Sequence, residues 1–386
     1  MTSTSPAGLL RDPGSSNRST LLELLFDVFY VATFAQLSMH LAGDLTWRGV
    51  GQNAILLLAA WWTWSVTSLA TDFFDPRRRV IRGVIASTMF GVGLMTAAIP
   101  NAFGAQGLLF AGAYVGIHVV RGVLLIGALR GHLAQVRVER FLFWFVLSGV
   151  LWLAGGLVDP AWRAALWAGA LVVDYVSAAL RYPTPRLGRV PLDQYERLSS
   201  HFGERYQQIT ILIIGDLVLA STLKLSVAEF STARVVVFLA AISAALLLWQ
   251  IYVFRTDLFV ARAVHKHPLR AVRLASYIYA VLVAGVIAMT AGVDLVLRHP
   301  FGTPRASWVA LVVGGAALFV LGRVIFEYAL LGRISRSRVG WLVLMIGVAP
   351  ALTPLAPIFV VIASVGILLG ITLTDAWRGR HDASDR

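Results

Sequence analysis

The chain contains no cysteine. Disulfides, thiolate metal sites and cysteine nucleophiles are thereby excluded. Charge is scarce too, since Asp, Glu, Lys and Arg make up only 14% of the 386 residues, where a soluble globular chain carries about a quarter. Lysine is almost missing, with Lys224 and Lys266 alone among 33 basic residues. The patterns HExxH, GxSxG and GxxxxGK do not occur. Their absence argues against a zinc protease, a serine hydrolase and direct use of ATP, so a protein without enzymatic activity, metal or cofactor is expected. What the chain has in quantity is apolar residues, at 58%, with a mean hydropathy of +0.75. These totals predict an all-α, polytopic membrane helix bundle whose first partner is the lipid bilayer.

A formal charge of +13 would suggest nucleic acid as a partner in a soluble chain. Here the basic residues fall between apolar runs, where the positive-inside rule places them, and no nucleic-acid partner is expected. A helix needs about 20 apolar residues to cross the hydrocarbon core. Twelve such candidates lie near residues 21–42, 50–71, 80–99, 104–128, 140–158, 161–180, 203–224, 232–254, 271–297, 306–330, 339–353 and 355–376. The last two are divided only by Pro350, Pro354 and Pro357. Alternating the spans puts 25 basic residues on one side and 6 on the other, with Arg121 and Arg323 inside spans, so both termini are expected in the cytoplasm.

The expected organisation is a disordered cytoplasmic tail at 1–19, a first transmembrane half at 20–181, a cytoplasmic central loop at 182–200, a second half at 201–377 and a cytoplasmic tail at 378–386. The halves share a short pattern. Trp64, Thr71, Asp72 and Phe74 close the second span much as Trp249, Thr256, Asp257 and Phe259 close the eighth, and Glu23 opens the first span as Glu204 opens the seventh. A 6+6 parallel repeat of this kind is a plan used by some secondary transporters.

The same residues carry a family resemblance. ELLFDVFYVATFAQLS near the N-terminus, Trp61-Trp62-Thr63-Trp64, and HFGERYQQITILIIGDLVLA at 201–220 resemble the bacterial low temperature requirement protein A (LtrA) family, whose pattern is ELFFDL-VFVFA-TQLS followed later by H-ERFG-IIALGES. Here the later Gly-Glu is Gly215-Asp216, and a Tyr-x-His in span nine is Tyr277-Ile278-Tyr279. The resemblance implies a multi-pass protein of the bacterial inner membrane, linked by name to growth in the cold, and it brings no defined biochemical activity with it.

Ionisable residues at lipid depth are costly and mark function or packing. Glu23 and Asp27 share one helix face, four residues apart. Glu23 fits a capping box with Thr20. Asp27 lies about 9 Å further in than residue 21, too deep to cap, and needs a partner or a cavity. Arg121, with His118 one turn away, is the expected partner for Asp27 or for Asp174. Span seven adds His201, Glu204, Arg205 and, near the midplane, Asp216, which either joins a polar site or donates as a neutral acid to nearby backbone. Gln36 completes the candidate intramembrane polar site, while Trp64, Asp72, Trp249 and Asp257 are read as structural or cavity-lining.

Arg323 and Glu327 should pair at i, i+4, and Asp294 should be solvated at the external end of span nine. His265-Lys266-His267 reads as a solvated loop, and Gly91, Gly93, Gly112 and Gly116 as sites of close helix packing. Two functions follow as expectations: a transporter or conduit for a small solute or protons, or a membrane sensor or scaffold. No oligomeric state is assigned.

Overall fold

The computed structural model describes residues 6–11, 18–192, 194, 200–227, 230–253, 268–303, 305–332 and 334–384. Among these the chain is helical, with twelve long helices and no strand beyond isolated bridges. They are α1 (Leu21–Gly43), α2 (Trp47–Phe73), α3 (Arg79–Ala98), α4 (Gly107–Ala128), α5 (Ala134–Leu157), α6 (Pro160–Ala179), α7 (Ser200–Val227), α8 (Thr232–Val253), α9 (Pro268–Arg298), α10 (Ala306–Leu331), α11 (Arg336–Leu352) and α12 (Pro357–Ser384). Each matches one apolar run read from the sequence. Ten are long and apolar enough to cross a membrane. The other two differ for separate reasons. In α6, Arg163, Asp174 and three aromatic residues dilute the aliphatic content, and α11 has only 17 residues, with Pro350 inside it.

Local signals set several ends. The Thr20 amide donates to Glu23 Oε2 at 2.8 Å and the Glu23 amide to Thr20 Oγ1 at 3.3 Å, the reciprocal pair of a capping box, which starts α1 where the sequence placed it. Pro160 opens α6 at a position whose amide would have no intrahelical acceptor. Gly332 closes α10 at φ 64°, a left-handed conformation that costs glycine little.

The chain packs as two compact units: Met1–Leu37 with Trp47–Gln207, and Ser38–Thr46 with Gln208–Arg386. The expected halves meet at the central loop, whereas here the change of unit falls inside α7. In the first unit α4 lies against α3 and α5, α5 against α6, and the heavily buried α2 touches α3, α4 and α6. In the second, α9 and α10 form the tightest pair, with α8 against α12 and α10 against α11 and α12. Gly285 and Gly315 make the α9–α10 approach possible: a Cβ on Gly285 would stand 2.6 Å from the Gly315 carbonyl oxygen.

Two expectations need correction. The tail is not disordered throughout, because Pro6–Leu9 forms a 3-10 turn, Leu9 is buried, and the Arg11 amide donates to the Phe73 carbonyl at 3.0 Å. Gly91 does sit tightly against Ile117, but Gly112 and Gly116 face open space along an apolar groove between α3 and α4, so they mediate no contact. The central loop is pinned as far as it is described, since Arg140 donates to the Leu187 carbonyl, Trp144 to the Pro183 carbonyl and Arg137 to Gln194 Oε1. Asp257, Thr256 and the His265-Lys266-His267 segment lie outside the described residues.

Candidate functional site

Three helices of the first unit bring their polar faces together. On α1, Glu23 and Asp27 lie one turn apart, and on α7 His201 and Arg205 do the same, so the helices present two matching layers. In the outer layer His201 Nε2 is 3.3 Å from Glu23 Oε1, and His201 Nδ1 is 3.5 Å from Asp72 Oδ1 at the end of α2. One turn deeper, Arg205 grips Asp27 with both terminal nitrogens, at 2.9 Å to Oδ2 and 2.7 Å to Oδ1. Its Nη1 also donates to the Glu23 carbonyl at 3.0 Å. Trp64 of α2 donates to Asp27 Oδ1 at 2.9 Å. Tyr206 closes the inner side, edge-on to Trp61 and Trp64, which stack on each other at 4.9 Å.

Every charged member is buried, with Asp27 and His201 at 0% exposure. A two-pronged Arg–carboxylate bond with a third donor is the geometry in which a buried ion pair is best tolerated. Glu23 serves twice, since Oε2 caps α1 while Oε1 faces His201. Three carboxylates thus surround one arginine and one histidine. A histidine ring offers two N–H donors only as imidazolium, so proton occupancy changes how many of these acceptors are satisfied.

The expected role of Arg121 is corrected. It reaches neither Asp27 nor Asp174. Its Nη1 donates to Thr67 Oγ1 at 2.9 Å and its Nη2 to His118 Nδ1 at 2.5 Å. Asp27 has taken Arg205 instead, and Asp174 accepts from the Tyr114 hydroxyl at 2.7 Å. The reason is adjacency: the residues that meet belong to whichever helices pack together, and hydropathy does not encode that. Glu204 is half-buried and accepts from the Ser19 amide at 3.4 Å, while Gln36 is half-buried without a bond to the cluster. Asp216 is buried on α7, ~16 Å along the axis past Arg205, with Oδ1 lacking a hydrogen-bond partner among the described residues.

Trp249 is 45% exposed, whereas Trp64 is fully buried, so the two paired positions of the repeated pattern differ in burial. Asp294 is not solvated. It is 6% exposed and pairs with Arg298 at 2.6 Å and Lys224 at 3.5 Å.

In the second unit Arg323 lies 4.0 Å from Glu327, as the spacing predicts. Sequence reasoning missed the larger network there. Arg338, counted as a loop charge, is 2% exposed and bonds both Glu327 and Asp375, the latter at 2.7 Å. Its only sequence signal was a position at the very start of a short apolar run. Tyr279, where the family resemblance would place a histidine, meets the Tyr252 hydroxyl at 3.2 Å.

Twelve helices among the described residues, ten of them apolar enough to span, with ionisable groups buried among them, define a multi-pass membrane protein. The chain matches the family described as bacterial low temperature requirement A protein (LtrA) over residues 18–373, and it belongs to that family. It is also similar to an uncharacterized protein, RA0937, of Rhizobium meliloti (strain 1021), with 29% identity over 321 residues that span 81% of this chain and 78% of that protein. No solved structure matches it. All members of the His201 cluster lie inside the matched region.

Proposed function

We propose that this protein is a secondary transporter or conduit for a small solute in the bacterial inner membrane, with both termini cytoplasmic, protons as the coupling ion and no enzymatic activity of its own. The observation that carries this reading is His201 held between Glu23 and Asp72, one turn from the Asp27–Arg205 pair. A histidine with a carboxylate facing each ring nitrogen is a place where a proton can be held and passed, and ionisable groups inside spans characteristically mark such relays.

Proteoliposomes test it. Reconstituted protein should move at least one member of a panel of small solutes when a pH gradient is imposed. The substitution His201→Gln should uncouple that movement from the gradient, and Asp27→Asn should abolish it. No flux of any solute or of protons under any gradient, with both substitutions tolerated in cells, would sink the proposal.

A second reading, a membrane sensor or scaffold for low-temperature adaptation without transport, has an observation of its own. Each charged group of the cluster already has a partner within it, as a structural lock requires. Cold growth restored to a deletion strain by a variant that carries no flux would favour this reading over transport.

A further inference from the structure

We infer that the cleft lined by Arg121, His118 and Arg137 in the first unit is a binding site for a small, weakly hydrated monovalent anion. Arg121 is 4% exposed and forms no ion pair among the described residues; its bonds go to a neutral hydroxyl and to a histidine nitrogen. A buried cation without a counter-charge is strongly disfavoured unless something supplies one. His118 points to the same need. Because guanidinium can only donate, His118 Nδ1 must accept, so its proton sits on Nε2. That nitrogen is buried and has no partner among the described residues. One buried donor without an acceptor thus stands beside one guanidinium without a counter-charge.

Space and surroundings fit the ligand class. The cleft offers about 40 Å³ for water, room for roughly three waters at 10–15 Å³ each or an anion of a few heavy atoms. Its remaining wall is almost wholly apolar, including Phe73, Leu125 and Phe145. Phe145 stacks on His118 at 3.8 Å and faces the Arg121 guanidinium at 5.6 Å. Such a wall penalises a strongly hydrated or divalent ion and favours one that sheds water readily. Arg137, half-buried over the Phe73 ring at 3.9 Å, adds a second positive charge to the lining.

Thermal unfolding of the full-length protein in detergent, titrated with sodium nitrate and sodium chloride against sodium gluconate at matched ionic strength, tests the site. Nitrate should raise the melting temperature saturably and more strongly than chloride, and gluconate, too large for the cleft, should not. Arg121→Gln should weaken the apparent affinity roughly tenfold or more, and Arg137→Gln about two- to threefold, as expected for a more exposed charge. Should Arg121→Gln not fold, His118→Phe keeps the cation and removes the orphan donor, and should weaken nitrate by several-fold. Equal responses to all three anions, or an unchanged nitrate response in Arg121→Gln or His118→Phe, would overturn the assignment.

Discussion

The two units each bury an arginine–carboxylate network, and they are balanced differently. In the second unit Arg323 and Arg338 face Glu327 and Asp375, two charges against two, with Arg338 held by both acids. In the first, Glu23, Asp27 and Asp72 face Arg205, His201 and, at longer range, Arg11, so the charges balance only when the ring carries its proton. A network that closes on fixed charges serves as a lock. One that needs a titratable ring to close can also answer to its surroundings, and this is why the functional reading rests on the first unit.

Removing one acid from each network tests the contrast most severely. Asp27→Ala leaves Arg205 without its two-pronged partner, and loss of one member of a buried pair costs about 3–5 kcal/mol. Asp375→Ala should cost less, ~1–3 kcal/mol, because Glu327 still holds Arg338. Denaturant or thermal unfolding in detergent measures both. A larger loss at Asp375 would reverse the ranking of the two networks.

The tryptophans that open the repeated pattern give the next largest effect. Trp64→Phe removes a hydrogen bond to a buried carboxylate, worth about 1.5–3 kcal/mol. Trp249→Phe, at an exposed position, should stay within ~0.5 kcal/mol. Equal losses would restore the symmetry that burial denies. Glycine contacts sharpen the picture further. Gly315→Ala drives a Cβ to 2.6 Å from the Met289 backbone nitrogen and should cost about 1–3 kcal/mol. Gly112→Ala meets nothing and, with alanine the better helix former, should be neutral or stabilising by under ~1 kcal/mol.

The repeat shows how far a linear pattern reaches. Trp64 and Trp249 occupy equivalent places in it, yet one is enclosed by Trp61, Tyr206 and Asp27 and the other is exposed. Similar spacing specifies similar helices and leaves their neighbours open. Arg121 gives the same lesson from the other side: its depth in a span was legible, and so was its need for a partner. The absence of any acid beside it was not.

By itself the sequence determined the helices and their ends, because bilayer thickness imposes a length on every apolar run and because Thr20, Pro160 and Gly332 act on backbone groups within a turn of themselves. It also determined that Asp27, Asp174 and Arg121 need partners, since a charge at that depth cannot stand alone. Only the tertiary structure decided which partners they take. Asp27 meets Arg205 across 178 positions and His201 meets Asp72 across more than a hundred, and contacts of that range depend on which helices adjoin, a property that no local periodicity carries.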